Sequence, residues 1–431
     1  MASIKHIKDN KYRAFLCVNR QRASRIITAK NHKDAEKQAL IMEVKLAETG
    51  NLDGETRKAK SNLHVVDLAE RYMEHLLNKN KPIKEKTRQK YQDLLNNNIL
   101  PYFKGYKVSA IGVYEAERFL KFLGTPEARV NKSKKRPYSQ GTIKEIFTLF
   151  DCMMKKATIW EIIEDNPCDK IEKPVEDKKE IVYYNLEQII ELLRLIEKDT
   201  QSELDRASIM SERSNFQPYT LQKIIISALM KQLIVNIAIK TAARRGEILG
   251  LRRQDIDLEK KSITYRRSVL YTKEAGTYEE EGLKTKDMNE VYINDSLVEL
   301  IRNYFKELDK LFEVSEGQLK PNDLLFMTLR NTKMSKLGDI LFPDPISEWF
   351  KLFLAKHGMP PITFHKLRST CLTYLANNGI DLFDVAKVAG HSNTKAAEKY
   401  YIGGYDSNKA MVASKFNRLD DMVKNIEQLN Q

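Results

Sequence analysis

Cysteine is scarce in this 431-residue chain, and the four present, Cys17, Cys152, Cys168 and Cys371, are widely scattered. With no C-x-x-C pair and no histidine cluster beside them, a zinc module is excluded, and a reduced, cytoplasmic protein is expected. Apolar runs stay short of a membrane span, and the opening MASIKHIKDNKYR lacks the hydrophobic core of a signal peptide, so a soluble protein with no membrane partner is expected. Internal repeats and long low-complexity tracts are missing as well. Acidic residues are the minority charge, 59 against 73 lysines and arginines, and the net charge of +14 makes a polyanion the natural partner. Basicity alone does not separate DNA from RNA or an anionic membrane.

The length exceeds one typical domain, and two or three are expected. KYRAFLCV alternates apolar and polar residues, a turn follows at residues 19–22, and SRIIT favours β-structure, which predicts a small sheet. Asn31 or Asp34 then caps a helix through AEKQALIMEVKLAE, with Ala35, Ala39, Leu40, Met42 and Leu46 as its apolar face. Up to Lys33, nine basic residues stand against one acid, Asp9. That imbalance reads either as a solvated sheet kept soluble by its lysines or as a sheet laid against a DNA groove.

Past a polar stretch at residues 50–62, helical periodicity returns in VVDLAERYMEHLL and in KEKTRQKYQDLLNNNILPYF, which Pro101 ends or bends. Two more helices are expected, one over residues 113–123 and one from Ser139 or Thr142 through IKEIFTLFDCMMKKATIWEII to just before Asn166-Pro167. The loop NKSKKRP at 131–137 gathers positive charge, as a solvated loop or as a grip on a phosphate. The charged IEKPVEDKKE reads as a linker. The expected domains are residues 1–60, 61–172 and 181–431, with 173–180 as linker.

In the last domain the apolar LQKIIISALMKQLIVNIAIKTA leads into ARRGEILGL, and KSITYRRSVL pairs with EVYIND across a long polar loop containing the acidic KEAGTYEEEGLK. Asp295 is expected to cap DSLVELIRNYFKELDKLF, and residues 199–218 read as a polar loop insertion of no assigned role. The fold class is therefore mostly α with small β-sheets, an α+β chain.

Four stretches carry candidate chemistry: ARRGE at 243–247, LKTK at 283–286, HKLR at 365–368 and GHSNTKAAEKYY at 390–401. His365 and Arg368 stand three apart after Thr363, an apt N-cap, so one helical face can offer both to an anion; a chance surface pair is the plainer reading. Arg244 and Glu247 form either a structural ion pair or an arginine oriented toward phosphate by its carboxylate. Tyr400 alone reads as a core or interface tyrosine.

The order R-x-x-E, a lysine, H-x-L-R, then G-H with a tyrosine nine residues on resembles the tyrosine recombinase (phage integrase) family, and the resemblance covers almost the whole chain. It implies an arm-type DNA-binding domain, a helical core-binding domain and a catalytic domain, in that order. By position, Arg244 and Arg368 match the arginines that bind the scissile phosphate and Lys284 matches the hairpin lysine. His365 and His391 match the two histidines, and Tyr400 the nucleophile. Lys286 and Tyr401 are the alternatives to Lys284 and Tyr400. The resemblance implies attack by tyrosine on a DNA phosphate without metal or cofactor, on double-stranded DNA with core and arm sites, as a tetramer, with a directionality factor as a further partner. Its setting would be a prophage or integrative conjugative element. The rivals are a type IB topoisomerase-like nicking and closing enzyme and a catalytically silent DNA-binding regulator.

Overall fold

Strict alternation along KYRAFLCV gives one face to solvent and one to a core, and in the computed structural model this stretch is the middle strand of an antiparallel sheet, β1 Ser3–Lys8, β2 Lys11–Val18 and β3 Gln21–Thr28. The structure describes residues 3–18, 21–49, 62–130, 133, 135–175, 182–212, 217–283, 288–320, 323–332, 335–390 and 394. Tyr12, Ala14, Leu16 and Ile27 turn inward onto Ala35 and Ala39 of helix α1, His32–Thr49. Asn31 caps α1 by accepting the Asp34 amide at 2.9 Å, and Asp34 accepts the Lys30 amide at 3.0 Å. Leu40, expected on the apolar face, is 60% exposed, while Ala35 and Ala39 are buried against the sheet and Met42 packs partly buried beside them.

A second core gathers α2 Val65–Leu77, α3 Glu85–Leu94, α4 Val113–Leu123 and α5 Gln140–Ile159 around Phe103, Phe119, Phe147 and Phe150. Pro101 has no amide to return to the preceding turn, and just ahead of it the helix widens into a π-turn over Leu95–Ile99 before ending at Tyr102. Ser139 caps α5 through the Thr142 amide at 3.3 Å. The helix stops well short of Pro167. Glu161 sits at φ 57°, its amide bonds the Thr158 carbonyl and the Ile162 amide bonds that of Ala157, both at 2.9 Å, a Schellman closure with glutamate where glycine is usual.

The chain divides into two compact units, Met1–Lys178 and Lys179–Gln431. In the second, α6 Leu186–Ser211, α7 Pro218–Thr241 and α9 Asp295–Val314 pack together, with α10 Pro343–Lys356, α11 Lys366–Asn377 and α12 Leu382–Val388 beyond and the short α8 Arg245–Leu249 between α7 and the strands. Residues 199–211 are thus helix rather than loop, capped from Asn185 through the Gln188 amide at 2.9 Å. α7 does have the length and apolarity of a membrane span, against the sequence expectation, yet 72% of its most apolar window is buried in the unit's own core. A helix wrapped on every side needs no polar face. Asn294, one residue before the expected Asp295, caps α9.

β4 Ile256–Asp257, β5 Ser262–Tyr265 and β8 Asn289–Tyr292 form one antiparallel sheet with Ile263 opposite Val291, as the sequence pattern anticipates. The second half of KSITYRRSVL instead enters a separate ribbon, β6 Arg267–Thr272 with β7 Gly276–Glu281. β7 is the stretch read as an acidic loop. Two of its acids are matched by cations, Glu281 by Arg267 across the ribbon at 3.5 Å and Glu279 by Arg252, from the chain after α8, at 2.7 Å. The fold is mostly α with small antiparallel sheets.

Candidate active site

Thr241 ends α7, and Ala242 follows at φ 55°, a left-handed turn that costs an L-residue energy and persists because its surroundings hold it. Its methyl is fully buried against Leu372, Ala376, Val385, Ala386 and Ala389. The Thr241 hydroxyl lies 2.8 Å from that of Tyr265 on β5. Arg244 then opens α8. Glu247 accepts both its backbone amide at 2.8 Å and its guanidinium at 2.6 Å, the ion pair of the first reading: a carboxylate 6% exposed fixes the direction of an arginine 24% exposed.

α8 lies close against β6 because Gly246 lacks a side chain: a Cβ there would meet the Val269 carbonyl oxygen at 2.6 Å. At its other end the Gly250 carbonyl accepts from Arg267 at 3.2 Å, and Arg267 is itself anchored on buried Asp255 at 2.6 Å. Neither Arg267 nor Asp255 was singled out as a site residue in the sequence.

Arg368, on α11, is 5% exposed. One terminal nitrogen donates to the Ala242 carbonyl at 2.7 Å and the other to that of Ala389 at 2.5 Å. It therefore joins the turn just before Arg244 to the chain just before His391. His365 is the exposed residue at the α11 N-terminus rather than a member of its first turn, and Thr363 is not the cap; the Thr363 carbonyl only accepts the Lys366 amide at 2.8 Å. The aromatic ring of Phe364, buried at 3% exposure, pins the chain there and leaves His365 outward while Arg368 turns in.

Lys284, Lys286, His391, Tyr400 and Tyr401 lie outside the described residues, but the chain on either side of them is defined. Leu283 is buried, and Asn289 begins β8, pairing with Tyr265. The Asn289 amide group donates to the Val388 carbonyl at 3.3 Å and lies 3.6 Å from where a Cβ on Gly390, at φ 59°, would stand. A closed circuit results: Asn289 to Tyr265 across the sheet, Tyr265 to Thr241 through hydroxyls, Ala242 to Arg368, Arg368 to Ala389, and Val388 back to Asn289. The sequence reading named the arginines and passed over Thr241, Ala242, Tyr265 and Asn289, which act through hydroxyls, a backbone carbonyl and a side-chain amide.

Burial pushes the Tyr265 hydroxyl up, and burial likewise raises the Cys371 thiol to about 12. Among the described residues no group of histidine, cysteine and acidic side chains is disposed to hold a metal. Two grooves of about 760 and 340 Å³ open along α6, but neither is lined by Arg244, His365 or Arg368. The arrangement that remains is cationic and hydrogen-bonded, suited to stabilising a phosphate in transit.

Residues 219–406 match the model of the phage integrase family, and residues 65–124 match that of the phage integrase N-terminal SAM-like domain. The ICEBs1 integrase of Bacillus subtilis is 23% identical over 336 residues, covering 78% of this chain and 77% of that protein. A tyrosine recombinase XerC-like protein of Caldanaerobacter subterraneus is 28% identical over 176 residues, covering 38% of this chain and 43% of the relative. The fold resembles that of the Tn1549 transposon integrase, solved in complex with a circular intermediate DNA, with a TM-score of 0.58 at 17% identity over 81% of this chain and 99% of that one.

Proposed function

The chain belongs to the phage integrase family of tyrosine recombinases, and from that premise we propose how it breaks and rejoins DNA as the site-specific integrase of a mobile element. The Tyr400 oxygen attacks the scissile phosphorus and the bond to the 5′ oxygen breaks, leaving a 3′-phosphotyrosyl link and a free 5′-hydroxyl. The proton lost by Tyr400 passes to His365. The departing oxygen takes one from Lys284, with Lys286 as the alternative donor. Arg244 and Arg368 carry the non-bridging oxygens, joined by His391. A 5′-hydroxyl from another strand reverses the step without ATP, because the bond energy is kept in the ester. A neutral phenol titrating near about pH 10 is a poor nucleophile, which is why a base and a positive field are needed.

One observation supports this reading above the others: Arg368 spans the carbonyls of Ala242 and Ala389 and so brings the Arg244 turn and the chain leading to His391 to one guanidinium. The partner is double-stranded DNA, held at core sites by residues 61–172 and 181–431 and at arm sites by residues 1–60, with 173–180 as linker. The working assembly is a tetramer on paired sites, assisted by a directionality factor, in the cytoplasm.

The test uses duplexes from the ends of the element encoding this chain, with a bridging phosphorothiolate at the cut. A 3′-linked adduct mapped to Tyr400 and absent in Tyr400→Phe is expected. An adduct on Tyr401 would move the nucleophile by one residue, and specific binding with no adduct would defeat the mechanism.

A further inference from the structure

Nothing in the stretch IAIKTAARR stops a helix: it holds no glycine or proline, and alanine and arginine are among the best helix formers. On propensity alone α7 would run on through Ala242 and Ala243 and put Arg244 inside a helix. It ends instead at Thr241, Ala242 turns left-handed at φ 55°, and Arg244 is extended at φ −73° and ψ 150°. The break is therefore held by contacts from outside the helix.

Those contacts centre on the Thr241 side-chain oxygen. That hydroxyl has one proton, and the Ile237 carbonyl at 2.7 Å can only accept it, so the Tyr265 hydroxyl at 2.8 Å is the donor in their pair. Fixed at both, the side chain keeps the rotamer that turns its remaining lone pair to the Ala243 amide, at 3.4 Å. In a continuing helix that amide would bind the Ile239 carbonyl, and the Ala242 carbonyl would accept the Gly246 amide rather than Arg368 at 2.7 Å. Tyr265 is 1% exposed and paired with Asn289 across the sheet, so the donor is itself anchored.

We infer that Tyr265 is a positioning residue for Arg244: its hydroxyl locks Thr241, Thr241 ends α7, and the left-handed turn that follows delivers Arg244 to the N-cap of α8. There Glu247 takes its amide and aims its guanidinium. The inference rests on the reading of Arg244 as a phosphate-binding residue.

Tyr304 supplies the control. It is as deeply buried in the same core, and its hydroxyl donates to the Leu325 carbonyl at 2.9 Å, which has no part in the arginine turn. Tyr304→Phe takes the donor from a buried carbonyl, so it loses at least as much stability as Tyr265→Phe, which leaves Thr241 its other two partners. Single-turnover cleavage of a core-site suicide duplex is measured at saturating protein, with affinity by filter binding, for the full-length chain and these two variants. Thr241→Val, Ala242→Gly, Ala242→Gly combined with Tyr265→Phe, and Arg244→Ala complete the set. Tyr265→Phe and Thr241→Val are expected to slow cleavage about fivefold to thirtyfold at unchanged affinity, the ratio by which an L-residue prefers the right-handed backbone. Tyr304→Phe cleaves at the parental rate. Glycine takes the left-handed turn without penalty, so within Ala242→Gly the added Tyr265→Phe costs no more than about twofold.

An undiminished Tyr265→Phe defect in the Ala242→Gly background overturns the inference, as does equal slowing by Tyr304→Phe or a parental rate in Tyr265→Phe or Thr241→Val. A parental rate in Arg244→Ala would take down the reading of Arg244 itself. An inactive Arg244→Ala beside an unimpaired Tyr265→Phe leaves that reading standing and removes only the role given to Tyr265.

Discussion

Arg244 and Arg368 are held in opposite ways, and their substitutions should separate accordingly. Arg244 is paired with a carboxylate and partly exposed, whereas Arg368 is buried on two backbone carbonyls. Arg244→Ala and Arg368→Ala are both expected to cut the cleavage rate by on the order of 100–1000-fold, as for removal of one donor to a developing charge. Arg368→Ala should also lose stability in urea denaturation, about 1–3 kcal/mol for each buried carbonyl left unmet. Unchanged stability in Arg368→Ala would show that the carbonyl ties carry no weight. The cysteines make a second test: burial first, and for Cys168 also nearby Asp151, pushes the Cys168 and Cys371 thiols up to about 12, while Cys17 and Cys152 are exposed. Iodoacetamide at pH 8 should therefore mark Cys17 and Cys152 alone in the folded protein, with peptide mass spectrometry as the readout. Both arginines were singled out by the order of the motifs along the chain, since each pair alone, arginine with glutamate or with histidine, read as plainly as a structural or chance contact. Their partners at Ala242 and Ala389 were not, since every residue has a carbonyl and only the fold selects two.

Helix ends show the same divide. Asn31 and Ser139 announce their caps, because side-chain oxygens that bind amides are a residue property. The closures at Glu161 and Ala242 do not, because each puts an ordinary L-residue at positive φ where glycine would have been the signal. Acidic residues 279–281 read as a loop for a similar reason: only the fold sets Arg267 across the ribbon from Glu281 and brings Arg252 from outside it to Glu279. The seating of α8 on β6 is testable through Gly246→Ala, whose Cβ would sit 2.4 Å from the Ser268 hydroxyl and 2.6 Å from the Val269 carbonyl oxygen. The helix must then lift, at about 1–3 kcal/mol by thermal unfolding, and Arg244 moves with it. Wild-type stability and cleavage in that variant would contradict the packing described. In α6, burial raises the Asp199 carboxyl, but hydrogen bonds from Lys356 and His357 outweigh it and the net shift is downward from 3.8. A carboxylate held below its unfolded value stabilises the fold fully above that value and loses its contribution as pH falls through the folded one. Asp199→Asn should therefore lower the melting temperature at pH 7 and leave the difference from the parent protein shrinking below about pH 4. A constant difference down to pH 2 would mean the ties to Lys356 and His357 do not form.

A net charge of +14 spread over two compact units means DNA affinity is set by counterion release, and the N-terminal sheet lets one share of it be isolated. Its register puts Lys5 opposite Arg13 and Arg13 opposite Ile26, with Lys11 opposite Thr28, and all of these are on the face away from the buried Tyr12, Ala14 and Leu16. Phe15 and Ile26 are 42% and 53% exposed on the same face, so cations and apolar groups are interleaved there. On the arm-binding reading, replacing Lys5, Lys11 and Arg13 together by alanine should weaken binding to arm-site duplexes and flatten the plot of log K against log salt by roughly 0.9 for each phosphate contact removed. Cleavage of an isolated core-site duplex should be unchanged, because Arg244, His365 and Arg368 belong to the other unit. Filter binding across a salt series reads the first quantity and a suicide duplex the second. If the slope on arm DNA stays as it was, the nine cations of the first 33 residues are a solvated surface and arm recognition lies elsewhere in the chain.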